Sequence, residues 1–341
     1  MTGNGSRTEL RKDPTSGRWV LVQHRTTKPR DNGRCPFCSG HEEETPSEIA
    51  AYRSNGQPPN SSEWLVRVIP ERAPLLQTEG DIQREGLGIF DMVSGRGASE
   101  ILIESPEHNL SWESQPPEDI ERVLWMYRDR IADLYQDPQI RSVLVLRRER
   151  TRTSRITHPF SRIIGAPIIF DELRQELATA RQYFTYKQRC LYCDIIHQER
   201  RDGLRVVMHT PHFLVHTPYA SRLPFETWVM PINHRHRFED ISSLEITDLA
   251  RVLQATVRRL HAVQPGTPLR LGLHTAPNQT MRLREDEWRT LADDYHWHLE
   301  FVTDGISKET LGGFSVNPVP PEVAAKELRE ATRSHPFAAR R

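Results

Sequence analysis

The sequence predicts an α+β protein made of two similar halves, each an antiparallel sheet covered by helices. Three observations predict it. A cysteine pair, Cys35-Pro36-Phe37-Cys38, has a counterpart in Cys190-Leu191-Tyr192-Cys193. Each pair precedes short strand-like segments and then one long amphipathic stretch. Each long stretch precedes another strand and then a histidine-bearing strand, so the order of elements repeats.

In the first half, Trp64–Ile69 and Glu100–Glu104 read as strands. Between Pro117 and Gln136, the residues Ile120, Val123, Leu124, Tyr127, Ile131 and Leu134 recur at helical spacing. A strand at Ser142–Leu146 leads to His158-Pro159-Phe160. In the second half, strands are expected at Arg205–Met208, Phe213–His216 and Thr227–Met230. A helix from Ser243 to Val263 carries Leu249, Val252, Leu253 and Leu260, and the strand Leu269–His274 leads to His296-Trp297-His298. A helical segment from Phe170 to Tyr186 joins the halves, expected at residues 10–176 and 177–333. The start of the chain and the part beyond Arg333 read as tails.

A chain of 341 residues can build two cores of ordinary size. Lysine plus arginine (46) equals aspartate plus glutamate (46). That balance argues against a protein that coats nucleic acid or an anionic membrane. No apolar run is long enough to span a bilayer, and the polar stretch Met1 to Pro14 lacks the apolar core of a signal peptide. The expected location is the cytoplasm. Four cysteines in two C-x-x-C pairs there point to metal or redox chemistry rather than structural disulfides.

Two cysteines separated by two residues aim their thiolates at one point, the first half of a tetrahedral zinc site. Asn32-Gly33 before Cys35 and Ser39-Gly40 after Cys38 suit a turn there. A thioredoxin-like redox pair would need a helix beginning at the first cysteine, which Pro36 and Gly40 do not suggest. The remaining ligands must come from elsewhere. His108 and His158 are chosen for the first site, His234 and His296 for the second, although 15 histidines leave alternatives. Two zinc ions per chain are therefore expected. Closing a loop of tens of residues costs roughly 3–4 kcal/mol in its length-dependent part. A structural zinc site can return about 10–16 kcal/mol in small peptides, so a role in holding each half together is expected.

An ordered set of motifs extends these pairs. It comprises Trp64-Leu65-Val66-Arg67-Val68-Ile69-Pro70, Gly95-Arg96-Gly97 to Glu100, Ser105-Pro106-Glu107-His108, His158-Pro159, Phe225-Glu226-Thr227, His234, and Gly312-Gly313-Phe314 to Asn317-Pro318-Val319. Over about residues 10 to 330 the chain resembles galactose-1-phosphate uridylyltransferases and the related ADP-glucose phosphorylases, of the histidine-triad superfamily. The resemblance implies two tandem histidine-triad-like domains and a homodimer. It also implies a nucleotide sugar or another phosphorylated small molecule as substrate. It places zinc on Cys35, Cys38, His108 and His158. In the phosphorylase branch a second zinc falls on Cys190, Cys193, His234 and His296. In the uridylyltransferase branch a different second metal falls on Glu199, His274, His296 and His298. His296 cannot readily serve both, and thiolates at this spacing favour the cysteine set.

The family's chemistry, by the same resemblance, uses a histidine that attacks the α-phosphorus and becomes nucleotidylated, dividing one hard step into two. Its pattern is His-Pro-His-(Gly/Ser)-Gln, with the second histidine attacking. Here the run is His158-Pro159-Phe160-Ser161-Arg162, and Phe160 has no lone pair to offer. Arg162 replaces the glutamine, Glu71 the asparagine after the strand proline, and an arginine-rich run from Arg147 to Arg155 the glycine-rich loop. Arginine forks bind phosphate bidentately. Arg147, Arg150, Arg152, Arg162 and Ser161 are therefore the expected phosphate-binding residues. His298 repeats, in the second half, the place of Phe160 and is the candidate nucleophile or general acid/base. The function expected is nucleotidyl transfer by a non-standard mechanism. The alternatives are a binding protein that has lost catalysis, and a hydrolase or phosphorylase acting through His298.

Overall fold

The computed structural model describes residues 8–23, 34–54, 56–149, 157–280, 288–303, 310–311 and 314–331. The first half contains β1 (Thr8–Lys12), β2 (Trp19–Gln23), β3 (Ala50–Arg53), β4 (Trp64–Pro70), β5 (Arg84–Leu87), β6 (Phe90–Ser94) and β7 (Ala98–Ile103). Helix α1 (Pro117–Leu134), β8 (Ser142–Arg148) and β9 (Phe160–Ala166) complete it. Helices α2 (Asp171–Lys187) and α3 (Leu191–Asp202) precede β10 (Val206–His209), β11 (Phe213–His216) and β12 (Thr227–Pro231). Then follow α4 (Ser243–Val263), β13 (Leu269–His274), α5 (Leu291–Asp294), β14 (His298–Thr303) and α6 (Pro321–Glu330).

The repeat read from the sequence is a repeat of topology. Strands β3, β4, β7, β9 and β8 lie side by side in that order, and β10, β11, β12, β14 and β13 follow the same path in the second half. Helix α1 lies between β7 and β8 in the chain, as α4 lies between β12 and β13. The two five-stranded sheets are continuous. Strands β8 and β13 pair antiparallel, Val145 opposite Leu273, giving one ten-stranded sheet. Each half thus covers the backbone edge that the other would leave open.

Local chemistry sets the long helices. Ser242 and Glu245 form a reciprocal capping box at the start of α4. Pro117 occupies the first turn of α1, where its missing N–H costs nothing. Both helices lie on one face of the sheet. Trp112, Ile120, Leu124 and Tyr127 share a single core with Leu249, Leu253, Trp297 and Phe301. No helix among the described residues is long and apolar enough to cross a membrane.

The opposite face carries different covers. A four-stranded sheet, ordered β2-β1-β6-β5, rests Leu10 and Val93 against Ile164 and Ala166 of the first half. Gly97 allows this region to close up, since a Cβ there would lie 2.3 Å from the Gly165 carbonyl oxygen. Over the second half, Leu173 and Leu177 of α2 and Tyr192 and Ile196 of α3 pack on Leu214 and Met230.

Candidate metal centres and the strands they frame

The two cysteine pairs arise in different local settings. Cys35 to Cys38 form a turn, with the Cys38 N–H on the Cys35 carbonyl at 3.4 Å. Cys190 instead caps α3, so Cys193 lies in that helix's first turn. The helix-opening feature of a redox pair is therefore present at the second pair, and the neighbouring histidines distinguish the two readings. Cys35, Cys38, His108 and His158 bring their ligand atoms within 4.8 Å of one another, and so do Cys190, Cys193, His234 and His296. Cys38 Sγ is 3.3 Å from His108 Nδ1 and 3.7 Å from His158 Nδ1. Cys193 Sγ is 3.4 Å from His234 Nδ1 and 3.7 Å from His296 Nδ1. Sulfur and nitrogen on a tetrahedral zinc ion would be about 3.6 Å apart.

The far ring nitrogens test the same point. His158 Nε2 donates to the Ser105 carbonyl at 2.7 Å, His234 Nε2 to Ala292 at 2.8 Å, and His296 Nε2 to Pro231 at 2.9 Å. A carbonyl can only accept, so the proton of each neutral ring lies on Nε2 and the Nδ1 lone pair faces the cysteines. His108 Nε2 has Thr157 Oγ1 at 2.7 Å in the equivalent place. Burial pushes His158 down to about 4, which keeps this ring neutral. The donor set is thus oriented for a four-coordinate, thiophilic ion.

Each site staples the same elements. Within each five-stranded sheet, a cysteine pair before the first strand meets one histidine after the third strand and one two residues before the last. Phe160 and His298 are consequently equivalent: each opens the strand that follows a histidine of a cysteine–histidine group.

A third group was not foreseen as such. Glu176 of α2, His274 of β13, and His298 and Glu300 of β14 also bring ligand atoms within 4.8 Å. His274 Nδ1 donates to Glu176 Oε1 at 2.8 Å, and Arg222 Nη2 donates to Glu300 Oε2 at 2.6 Å. Burial opposes a charge on His274, but the Glu176 carboxylate outweighs it and pushes His274 up to about 9. Burial alone would raise Glu300. His298, His274 and Arg222 instead hold it well below the usual carboxylate range. Two carboxylates thus face two cationic groups. The alternative set built on Glu199 is not brought together. Glu199 accepts from Arg205 at 2.8 Å, and His296 stays with the cysteines.

Comparison with known proteins bears on this frame. The family model described as galactose-1-phosphate uridyl transferase, C-terminal domain, matches residues 176–336. The ADP-glucose phosphorylase of Arabidopsis thaliana is 27% identical over 95% of this chain and 93% of its own. The galactose-1-phosphate uridylyltransferase of Thermotoga maritima is 24% identical over 94% of this chain and 98% of its own. A crystal structure of the Arabidopsis thaliana ADP-glucose phosphorylase with bound ADP-glucose superposes with a TM-score of 0.73 at 26% identity, covering 95% of this chain and 99% of the other. Residues 176–336 thus match the galactose-1-phosphate uridyl transferase C-terminal domain, and nearly the whole chain is similar to galactose-1-phosphate uridylyltransferases and ADP-glucose phosphorylases. A uridylyltransferase structure at 23% identity, with a TM-score of 0.78, shares the fold.

Against the family's expected active strand, the structure sorts the sequence candidates by face. Phe160 is 7% exposed and meets Phe37 edge-on, ring centroids 5.3 Å apart, among Trp64, Ile101 and Ile103. Arg162 lies on the same face. Its side chain is 37% exposed, and Nη2 donates to Glu71 Oε1 at 2.6 Å. Ser161 points the other way, is fully buried, and donates to Glu104 Oε1 at 2.6 Å. Arg147 is also turned inward. It is 5% exposed, bonds Glu104 Oε2 at 3.0 Å, and lies over Trp112 at 4.2 Å. Ser161 and Arg147 therefore face the helices rather than Arg162, so the structure does not bring these three expected phosphate-binding residues together. Their buried partners already use their hydrogen bonds. Arg150 and Arg152 lie outside the described residues.

His298 is fully buried and layered between aromatic rings, Trp228 at 4.7 Å and Tyr192 at 5.5 Å between centroids. Among the described residues its Nε2 has no hydrogen-bond partner, with carboxylate oxygens of Glu300 and Glu176 at 3.7 and 3.9 Å. A nucleophile must be reached by its electrophile, and this enclosure leaves His298 no open side. Glu176, the missed member of its group, lies in the joining helix. Its alignment with β13 and β14 has no signature in local periodicity.

Proposed function

We propose that the chain binds a nucleotide sugar, or a related phosphorylated metabolite, on the sheet face carrying Phe160 and Arg162, and transfers the nucleotidyl group directly to an acceptor. The observation that carries this reading is the pairing of a full-length family match with Phe160 at the strand-opening position after His158-Pro159. The names of the relatives, an ADP-glucose phosphorylase and a galactose-1-phosphate uridylyltransferase, supply the substrate class. Without a lone pair at residue 160, transfer proceeds in one in-line displacement: an acceptor oxygen bonds to the α-phosphorus as the bond to the sugar 1-phosphate oxygen breaks, the sugar 1-phosphate leaves with the electron pair, and charge on the phosphoryl oxygens is met by Arg162.

Zinc is assigned to both cysteine–histidine groups, two ions per chain. Cys35, Cys38, His108 and His158 would hold one, and Cys190, Cys193, His234 and His296 the other. The chemistry the ions supply is structural, since four protein ligands close each site. The protein's own work is to hold the ligand-histidine rings by their Nε2 hydrogen bonds and so fix the start of β9 and of β14. In this reading the chain divides into domains at 10–176 and 177–333.

A second reading is a ligand-binding protein without turnover. It is favoured by the Arg162–Glu71 ion pair, which gives the arginine of this face a partner within the chain. One experiment separates the readings. Nucleotide sugars and sugar phosphates are screened for binding and turnover, with intact-mass measurement of the protein after each incubation. Turnover without a covalent adduct supports direct transfer, and binding without turnover supports the second reading. A nucleotidyl adduct mapped to the first half would overturn both.

A further inference from the structure

His261 sits in the last turn of α4, away from the metal groups. Its Nδ1 is 2.9 Å from Glu113 Oε2 and its Nε2 is 2.9 Å from Glu149 Oε2. Carboxylates accept hydrogen bonds, and a neutral imidazole has only one N–H. Two such contacts therefore define an imidazolium donating from both sides. The position near a helix C-terminus favours the same charge.

The two carboxylates belong to the other half of the molecule. Glu113 lies between β7 and α1, and Glu149 directly follows β8 at the seam of the sheet. Glu149 is fixed to β13 by two bonds, its N–H to the Leu269 carbonyl at 2.8 Å and its side chain to the Leu269 N–H at 3.2 Å. Among the described residues, the other charged groups facing this contact are Arg147, 3.5 Å from Glu149, and Arg258, whose Nε donates to the Glu113 carbonyl at 2.8 Å. Arg147 continues through Glu104 to Ser161, the residue between Phe160 and Arg162. A line of polar contacts thus runs from the second half's helix to β9 in the first half.

We propose that His261 is a pH-operated clasp between the two halves, closed while its imidazole is protonated and released in mildly alkaline solution. The Glu149 hydrogen bond is the largest influence on it. Burial works against that bond, and the balance pushes His261 up to about 8. An unfolded histidine titrates near ~6.5. The folded value is the higher one, so the stabilisation is fully present below about 6.5 and is lost as the pH rises through about 8. The proposal stands independently of any enzymatic activity.

The test is histidine-selective NMR titration of the full chain, combined with thermal unfolding from pH 6 to pH 9. His261 should titrate near 8, and Glu149→Gln should move its midpoint down toward ~6.5. At pH 6 the wild type should melt a few degrees above His261→Gln, and the gap should close by pH 9. His261 is 20% exposed, so the change in the unfolding constant should be several-fold rather than the full separation of the two midpoints. His261→Lys, a cation across the whole range, should melt with a much flatter pH profile. A midpoint at or below ~6.5, or a gap to His261→Gln that does not vary with pH, would overturn the clasp.

Discussion

The two halves of this molecule share a frame of two cysteines and two histidines and differ in what the frame holds. In each, one of these histidines precedes the last strand by two residues, and the strand opens on a side chain facing away from the core helices. In the first half that side chain is Phe160, seated among Phe37, Ile101 and Ile103. In the second it is His298, enclosed with Glu176, His274 and Glu300. Two residues further on, each strand presents a charge, with the signs reversed. Arg162 is paired to Glu71, and Glu300 is paired to Arg222. The frame is therefore indifferent to the position it precedes. In each half the histidine before the strand is held through Nε2 by a backbone carbonyl, and the residue that opens the strand two positions later can be an apolar plug or a member of an acid–base group.

The hardest test of the comparison removes the frame. Elemental analysis should find two zinc ions per chain, and Cys38→Ser or Cys193→Ser should each lose one and retain the other. Because binding free energy at such a site is folding free energy, each loss should cost several kcal/mol and destabilise its own half first. Hydrogen exchange, read half by half, measures this. Equal loss of protection in both halves would mean that the ten-stranded sheet unfolds as one unit and that the halves are not separable.

Next in size are the buried polar groups. Arg147→Ala would strand Glu104 without its cation, and breaking a buried pair typically costs about 3–5 kcal/mol. His298→Ala would empty the space between Trp228 and Tyr192, at about 3–5 kcal/mol if it behaves like other truncations of buried rings. Denaturant titrations would report both. A stable His298→Ala protein with abolished turnover would restore the histidine as a catalytic group and sink the reading of direct transfer.

Smaller still is the effect on ligand. Arg162→Ala should weaken binding of a nucleoside diphosphate by roughly 1.5–3 kcal/mol, the worth of a charge-assisted bond, with only a modest change in melting temperature because the Arg162 side chain is 37% exposed to screening by water. Calorimetric titration of both proteins decides it. Unchanged affinity would move the phosphate site away from this face.

These contrasts mark where the sequence is legible. The metal sets could be read because cysteine pairs are local and the repeat supplies the order of their histidines. The ends of α4 fall where the capping box and the apolar spacing put them. The third group could not be read so directly. Glu176 meets His274 across 98 residues, through the packing of α2 on the sheet, and no spacing announces that. The four-stranded sheet was missed for another reason: β5 is exposed along its whole length and has no buried face to leave an alternating pattern. Helix α3, which opens at Cys190, is not among the elements expected from the sequence. The inward turn of Arg147 is legible in the sequence. Val143, Val145 and Arg147 alternate along β8, so the arginine shares the face of two core valines.

The smallest expected effect is also the sharpest question about the two halves. Phe160→His would make the strand openings alike, His-Pro-His in one and His-Trp-His in the other. The backbone would place such a ring well. In the second half His298 Nδ1 lies 3.3 Å from the carbonyl of His296, two residues back, and the introduced imidazole could find the carbonyl of His158 in the same way. Its lone pair would then be carried by Nε2, toward the face where Phe160 now meets Phe37. Position 160 itself is packed among Phe37, Trp64, Ile101 and Ile103, and burial there would cost the polar ring about 1–3 kcal/mol if Nε2 found no partner. Beyond it stands Arg162, already held by Glu71. Intact-mass measurement after incubation with nucleotide sugars should therefore show no adduct, and turnover should match the wild type. An adduct in this single variant would mean that Phe37, Glu71 and Arg162 leave the site competent. The difference between the halves would then rest on one side chain.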